Sequence, residues 1–332
     1  MAQTRINTLS RLFPPPHYLT FAPVAIDFSV DAIRVLKLRK EKIGLIPEFY
    51  REYKLNQPCG ILGSEQDLNR CEEVRSILIS LKKESNLKFV NVSLPESKTY
   101  IFKTSIPRES ISTAEETVSF KIEENVPLAP QDVVFDYQII DHKRSSDTVD
   151  VVVSTLPKTV IGAYTALFKQ AGLIPLSYES ESQSLARAII PEDDCSSYLI
   201  LNMTEEQIGV AIVESNAVQY TSSIPVSSKS VVDDFGGAEA EALKQQVNKL
   251  LIYWFTNKEE NHQREKIETV VLTGPYASTP GLIDYLEKHL AIRAQLANVW
   301  ENCFDLNDYV PNMNMSDSLS FGIVIGMALQ NS

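Results

Sequence analysis

The segment from Val24 to Leu38, VAIDFSVDAIRVLKL, constrains the fold more than any other stretch of the chain. Val24, Ala25 and Ile26 run into Asp27, and a short link, Phe28-Ser29-Val30-Asp31, follows. Ile33, Val35, Leu36 and Leu38 then make a second apolar run. Short, β-branched-rich runs bounded by polar residues read as strand, tight turn, strand. The arrangement returns further on: Tyr198-Leu199-Ile200-Leu201, a polar turn from Asn202 to Glu206, and the run Ile208 to Val213. A repeated hairpin of this kind predicts two related halves.

The segments around these hairpins predict α/β layers. Residues 1–22 read as a separate leader, either a frayed, weakly docked tail or a short helix lined by Ile6, Leu9, Leu12 and Phe13 and ended by Pro14. A first lobe is expected over 23–105 and 176–197. Within it Val74, Ile77, Leu78 and Leu81 fall at helical spacing, and 89–92 and 100–102 read as strands. A small α+β unit is expected as an insertion over 106–175. Its helix face is Ala114, Val118 and Ile122, its strands are 133–140 and 149–155, and a second helix runs from Pro157 to Gly172. The second lobe is expected over 198–332. It holds a helix marked by Leu243, Val247, Leu250, Leu251 and Trp254, a reduced clasp at about 227–267, and an apolar C-terminal helix.

Composition narrows the function classes. The chain has 332 residues, 44% apolar and 22% charged, which suits a soluble globular protein. A formal charge of −12 argues against a nucleic-acid partner, because phosphate contacts need Lys and Arg. Cys59, Cys71, Cys195 and Cys303 show no CxxC spacing, so free thiols and no metal site are expected. The apolar run Leu319 to Leu329 is too short to span a bilayer of roughly 30 Å, and no secretory pattern opens the chain. No nucleotide-binding, hydrolase or metalloprotease signature occurs, and His17, His142, His262 and His289 are scattered. No catalytic residue is assigned. Asp193-Asp194 and Asp233-Asp234 read as solvated turn charges.

In their order the pieces resemble the PilM family of type IV pilus assembly proteins and its actin-like relatives, including FtsA. IDFSVDAIRVLKL (26–38) resembles the first phosphate hairpin, opened by a carboxylate at the end of a strand. ENVPLAPQDVVFDYQII (124–140) and DVVVSTLPKTVIGAYTALFKQAGLIP (150–175) resemble the FtsA-type insertion. YLILNMTEEQIGVAIVE (198–214) resembles the second hairpin, VVLTGPYASTPGLIDYLEKHL (270–290) the adenosine side, and SLSFGIVIGMALQ (318–330) the closing helix. The resemblance implies an α/β, bilobed actin-like (ribonuclease-H-like) fold with an inserted FtsA-type α+β subdomain. It places a nucleotide cleft at Asp27, Ser29, Arg34, Asn202, Thr204 and Gly274.

The departures from the family pattern fall on that cleft. Ser29 and Val30 stand where the first hairpin has a glycine and a small hydroxyl residue, and a Cβ disfavours positive φ. Asn202 and Thr204 replace an acidic residue and a glycine, and Glu205 and Glu206 follow where a phosphate would sit. Two carboxylates against a triphosphate repel by several kcal/mol at reduced dielectric. Pro275 removes a donor beside Gly274, and Tyr276 adds bulk toward the base. Arg34 stands for the family's lysine.

The implied function is therefore a non-catalytic cytoplasmic scaffold of type IV pilus assembly. It would capture the N-terminal tail of a bitopic, PilN-like inner-membrane protein between the insertion and the first lobe, alongside other pilus assembly proteins. Peripheral placement at the inner membrane would come through partners, without a span of its own. The acidic charge favours a tail bearing Lys or Arg. Phe120, Phe135 and Tyr137 are candidates to shape the peptide groove, with core packing as the competing reading. No cofactor is expected; ATP with magnesium is the cofactor if the cleft works. The alternatives are an active actin-like ATPase of the same machinery and an FtsA-like division protein. The latter needs a C-terminal amphipathic membrane helix, and the sequence stops two residues after Gln330.

Overall fold

The computed structural model describes residues 23–29, 32–56, 62–85, 87–140, 147–192, 194–256 and 266–330. The expected leader (1–22) and Val30-Asp31 of the first turn lie outside the described residues.

Strands β1 (Val24–Phe28), β2 (Ala32–Glu41) and β3 (Gly44–Lys54) come first, then helix α1 (Glu72–Ser85) and β4 (Phe89–Leu94). Next are β5 (Tyr100–Pro107), α2 (Ala114–Asn125), β6 (Val133–Ile140) and β7 (Thr148–Pro157). The chain continues through α3 (Lys158–Ala171), β8 (Ile174–Ser180) and α4 (Glu181–Ile189). The second half holds β9 (Tyr198–Met203), β10 (Ile208–Glu214), β11 (Ala217–Ile224), α5 (Ser228–Asp233), α6 (Ala238–Thr256), β12 (Thr269–Thr273), α7 (Leu282–Leu290) and β13 (Arg293–Leu296). Helices α8 (Met315–Ser318) and α9 (Gly322–Leu329) close it.

The two halves repeat one topology. One five-stranded sheet has the order β3-β2-β1-β4-β8 and the other β11-β10-β9-β12-β13. In each, three antiparallel strands are followed by two that run parallel to the first of the half. Strand alternation sorts the first sheet's side chains onto two faces. Val24, Ile26, Ile33, Val35, Val90 and Val92 pack with Val74, Leu78, Leu167 and Phe168 of α1 and α3. Ala25, Leu36 and Leu38 point the other way, into a core shared with α4, α9 and the second sheet. Helix α9 is buried from Gly322 to Met327, as expected of an apolar helix between two layers. A Cβ on Gly326 would sit 1.7 Å from the Ser184 carbonyl, so only glycine lets α9 cross α4 this closely.

The insertion differs from its expected bounds. Its sheet has the order β5-β7-β6, so it begins with Tyr100 rather than residue 106. At the other end, α3 packs in the first lobe's core and β8 joins the first sheet, so 158–175 belongs to that lobe. Helix α4, expected in the first lobe, packs in the core that spans both. The insertion's own core is Ile106, Val118, Ile122, Val149, Val151 and Val153. Its reverse face, through Ile101, Ile140 and Val152, packs on Ala217 at the start of β11. The expected clasp holds α5 and α6, and residues 257–265 of it lie outside the described residues. Cys195 and Cys303 are free thiols. Cys71 is disulfide-bonded, which corrects the expectation of free thiols throughout.

Candidate functional site

A cavity of about 240 Å³ lies between the lobes, at the carboxyl ends of β1, β9 and β12. Asp27, Ser29, Arg34, Asn202, Thr204 and Gly274 all line it, so the structure brings the six cleft positions read from the sequence to one place. Such crevices at the carboxyl ends of strands are where open α/β sheets bind ligands.

Register sets the first wall. Asp27 of β1 lies opposite Arg34 of β2, and Arg34 lies opposite Glu52 of β3. Asp27 is 1% exposed and accepts a hydrogen bond from Ser93 Oγ on β4. Arg34 is also buried; its Nε donates to Glu52 at 2.9 Å and its Nη1 donates to Ser29 Oγ. The Arg34 guanidinium is thus held by its own sheet.

The turns are closed on themselves. Ser29 N–H donates to the Ala32 carbonyl at 2.9 Å, and Ser29 is not among the residues of positive φ. Thr204 N–H donates to the carbonyls of Asn202 and Gln207, both at 3.2 Å, and its hydroxyl also donates to Gln207 O. Gly274 N–H donates to Leu319 O at 3.1 Å, and Tyr276 N–H to Met203 O at 3.3 Å. Gly274 has φ +93°, and a Cβ there would lie 2.7 Å from Asn202 Oδ1. Glycine is needed at this turn because the third segment runs against β9. Pro275 lines the cavity and Tyr276 does not.

Sequence reasoning missed Glu181. It opens α4, directly after β8, and its half-buried carboxyl lines the same cavity. Burial, then the charges of Asp27 and Glu96, raise it well above the ordinary carboxylate range, against the opposing pull of Arg34. Glu96 is raised too, by burial, although the Ser182 N–H donates to it at 3.0 Å. Tyr164 of α3, another lining residue, is raised by burial and by Glu181. Ser180 caps α4 by accepting from Gln183 N–H, a signal legible in the order Ser180-Glu181-Ser182-Gln183. That cap locates the helix start without showing what faces it. Glu205 and Glu206 lie exposed at the rim. Among the described residues no group of three or more His, Cys, Asp or Glu could hold a metal ion.

The three peptide-groove candidates do not converge. Phe135 and Tyr137 pack under α2 against the insertion's core. Phe120 is 73% exposed on the opposite side of that helix, because the buried stripe is Ala114, Val118 and Ile122.

The duplicated sheets, the crossing helices and the interlobe cleft define a bilobed protein of the actin-like fold with an inserted FtsA-type α+β subdomain. The model of the family described as type IV pilus assembly protein PilM matches residues 25–240. The chain belongs to that family. A solved structure titled PilM-PilN type IV pilus biogenesis complex is 14% identical, covers 94% of this chain and 99% of its own, and superposes with a TM-score of 0.73. MreB5 of Spiroplasma citri, solved bound to ADP, is 9% identical, with 92% and 94% coverage and a TM-score of 0.50. The cytoplasmic domain of EpsL, an inner-membrane component of the Vibrio cholerae type II secretion system, is 12% identical over 93% of each chain, with a TM-score of 0.46. No curated protein matches the sequence.

Proposed function

We propose that this protein is a non-catalytic scaffold of type IV pilus assembly that captures the N-terminal tail of a PilN-like bitopic membrane protein. It works in the cytoplasm at the inner face of the membrane, held there through its partners. Family membership over residues 25–240 supports the pilus role, and the shared fold of the PilM-PilN complex supports the partner. Among the described residues no helix is long and apolar enough to cross a membrane, in keeping with attachment through a partner.

The observation that carries the non-catalytic part is the state of the turn donors. An anion site in paired hairpins needs backbone N–H groups pointing at the ligand. Those of Ser29, Thr204, Gly274 and Tyr276 bond to carbonyls of the protein, and Pro275 has none. The cavity, at about 240 Å³, is smaller than the roughly 300–1,000 Å³ of ordinary small-molecule sites. Among the described lining residues, the acids Asp27, Glu181, Glu205 and Glu206 outnumber the one cation, Arg34. These residues fit poorly to ATP with magnesium.

Calorimetry with a synthetic PilN-type tail peptide tests the capture, and no heat at high micromolar peptide would count against it. The convergence of Asp27, Arg34 and Gly274 on one cleft favours a second reading, an active ATPase. Micromolar affinity for labelled ATP with magnesium, abolished by Asp27→Ala, would establish that reading instead.

A further inference from the structure

We infer that the end of the first lobe opposite the cleft docks directly on an anionic lipid surface. This goes beyond attachment through a partner and does not depend on it.

Topology gathers the surface. Strands β1, β4 and β8 run parallel with their carboxyl ends at the cleft, so their amino ends share the opposite edge. The turn of the β2–β3 hairpin projects past this edge. Its strands pair on to Glu41 opposite Gly44, whereas the pairing with β1 stops at Ala25 opposite Leu36. Helices α1 and α3 end at the same edge. Residues 86–88 alone separate α1 from β4, and 172–173 alone separate α3 from β8. The Ile174 N–H donates to the Lys88 carbonyl at 2.8 Å, which ties the two connections together.

This end is basic in an acidic chain. The hairpin turn carries Arg39, Lys40 and Lys42, all exposed. Arg39 pairs with Glu41 at 3.3 Å, and neither Lys40 nor Lys42 forms an ion pair among the described residues. Lys37 and Glu48, further along the hairpin, pair at 2.8 Å and cancel. The ends of α1 and α3 add Lys82, Lys83 and Lys169, and Lys88 precedes β4. Cations in the last turn of a helix offset its dipole. Lys40, Lys42 and Lys88 have no such reason to be there. Glu84 is the acid at the helix ends. Glu301 and Asp305 flank the loop whose Cys303 carbonyl accepts from the Leu45 N–H, and they mark where the basic face stops. Seven cations thus meet four acids at this end among the described residues, in a chain whose formal charge is −12. Residues 1–22 join the fold here, ahead of β1, and hold Arg5 and Arg11 with no Asp or Glu.

Apolar side chains among these cations favour lipid over another polyanion. Ile43 in the hairpin turn is 42% exposed, and Ile174 and Leu176 at the start of β8 are 43% and 51% exposed. Strands β3 and β8 are the two edges of the sheet, so the footprint is about 19 Å across, four strand spacings. Nucleic acid rewards the cations alone, whereas a bilayer interface also takes up the apolar groups. The excess acids lie elsewhere on the molecule, and beyond a Debye length of about 8 Å they are screened from the surface. The docked protein stands on this end with its cleft turned away from the bilayer. A basic face alone attaches weakly and reversibly, so it orients the protein and leaves a partner to hold it.

The experiment is flotation of the full chain, with no partner present, on vesicles of phosphatidylcholine and on vesicles of equal parts phosphatidylcholine and phosphatidylglycerol. The expected result is binding to the mixed vesicles, none to phosphatidylcholine, and release at about 1 M salt, where the Debye length is about 3 Å. Lys40→Gln with Lys42→Gln should weaken binding about 25-fold, fivefold for each cation, and Lys82→Gln with Lys83→Gln should do the same. Ile43→Ser should weaken it with the salt dependence unchanged. Lys54→Gln with Lys249→Gln, exposed lysines at the cleft end of β3 and on α6, should bind as the wild type does. All of these are surface positions, and unchanged melting curves confirm that each variant folds. No binding to the mixed vesicles would overturn the inference. So would equal binding to both vesicles, or an equal loss from the Lys54 and Lys249 pair, which would show attraction to charge without a face. Full binding by both the hairpin and the helix-end variants would place the contact in residues 1–22 and overturn the assignment to this face. Tighter binding to a random DNA duplex, lost in the same variants, would make it a nucleic-acid surface instead. Because no partner is present, failure here leaves tail capture standing, and failure of the peptide calorimetry leaves this inference standing.

Discussion

Replacing Gly326 by alanine tests the packing on which the two lobes depend. An alanine Cβ would stand 1.7 Å from the Ser184 carbonyl oxygen and 2.5 Å from its carbon, both backbone atoms that no rotamer change can move. Helices α4 and α9 must separate, and overpacking of this kind costs about 1–3 kcal/mol. Separation also stretches the bond from Arg187 Nη1 to the Gly326 carbonyl, now 2.9 Å. A hydrogen bond from a charged donor contributes about 1.5–3 kcal/mol. Alanine returns about 1 kcal/mol of helix propensity. The net loss is about 2–5 kcal/mol. At roughly 2–4 °C per kcal/mol for a domain of this scale, the apparent Tm should fall by about 4–20 °C. Differential scanning calorimetry on the full chain reads this directly. An unchanged or raised Tm would refute the close crossing and, with it, the account of how the lobes are joined.

Glu181→Gln should stabilise the protein by an amount that grows with pH. The folded state holds the Glu181 proton to higher pH than the unfolded chain does, so wild-type stability falls as pH rises from the ordinary carboxylate range through the raised value. Melting curves of both proteins across that range check it, and a pH-independent difference would refute it. Gly274→Ala should cost about 1–3 kcal/mol through strain at φ +93° and crowding of Asn202 and Met203, read as a lowered Tm. Phe120→Ala should leave stability within about 0.5 kcal/mol, because the ring is exposed, whereas Phe135→Ala should cost up to about 3 kcal/mol. In tail-peptide titrations Phe120→Ala should lose about fivefold in affinity, roughly 1 kcal/mol; full affinity would remove Phe120 from the docking surface.

Much of the fold was legible in the sequence. The alternation in VAIDF and AIRVLKL fixes which side chains share a face, and the repeat at 198–213 announces a second sheet of the same order. The resemblance to the PilM family assigned Asp27, Arg34, Asn202 and Gly274 to one cleft, and the structure brings all four to line one cavity. Periodicity, however, says only that a face is apolar and not what covers it. Helix α3 reads equally well as part of the insertion or of the first lobe, and only the packing of Val160, Leu167 and Phe168 against β1 and β4 decides. Phe120 looked like Phe135 and Tyr137 in the sequence, yet the rotation of α2 turns it outward. Glu181 read as an ordinary first-turn acid of a capped helix. Its neighbours Asp27 and Glu96 are remote in the chain, and the parallel pairing of β8 with β4 is what carries it to the cleft floor. Electrostatic coupling depends on distance through space, which the sequence does not contain, so the charge balance of the cleft was a property of the tertiary structure alone.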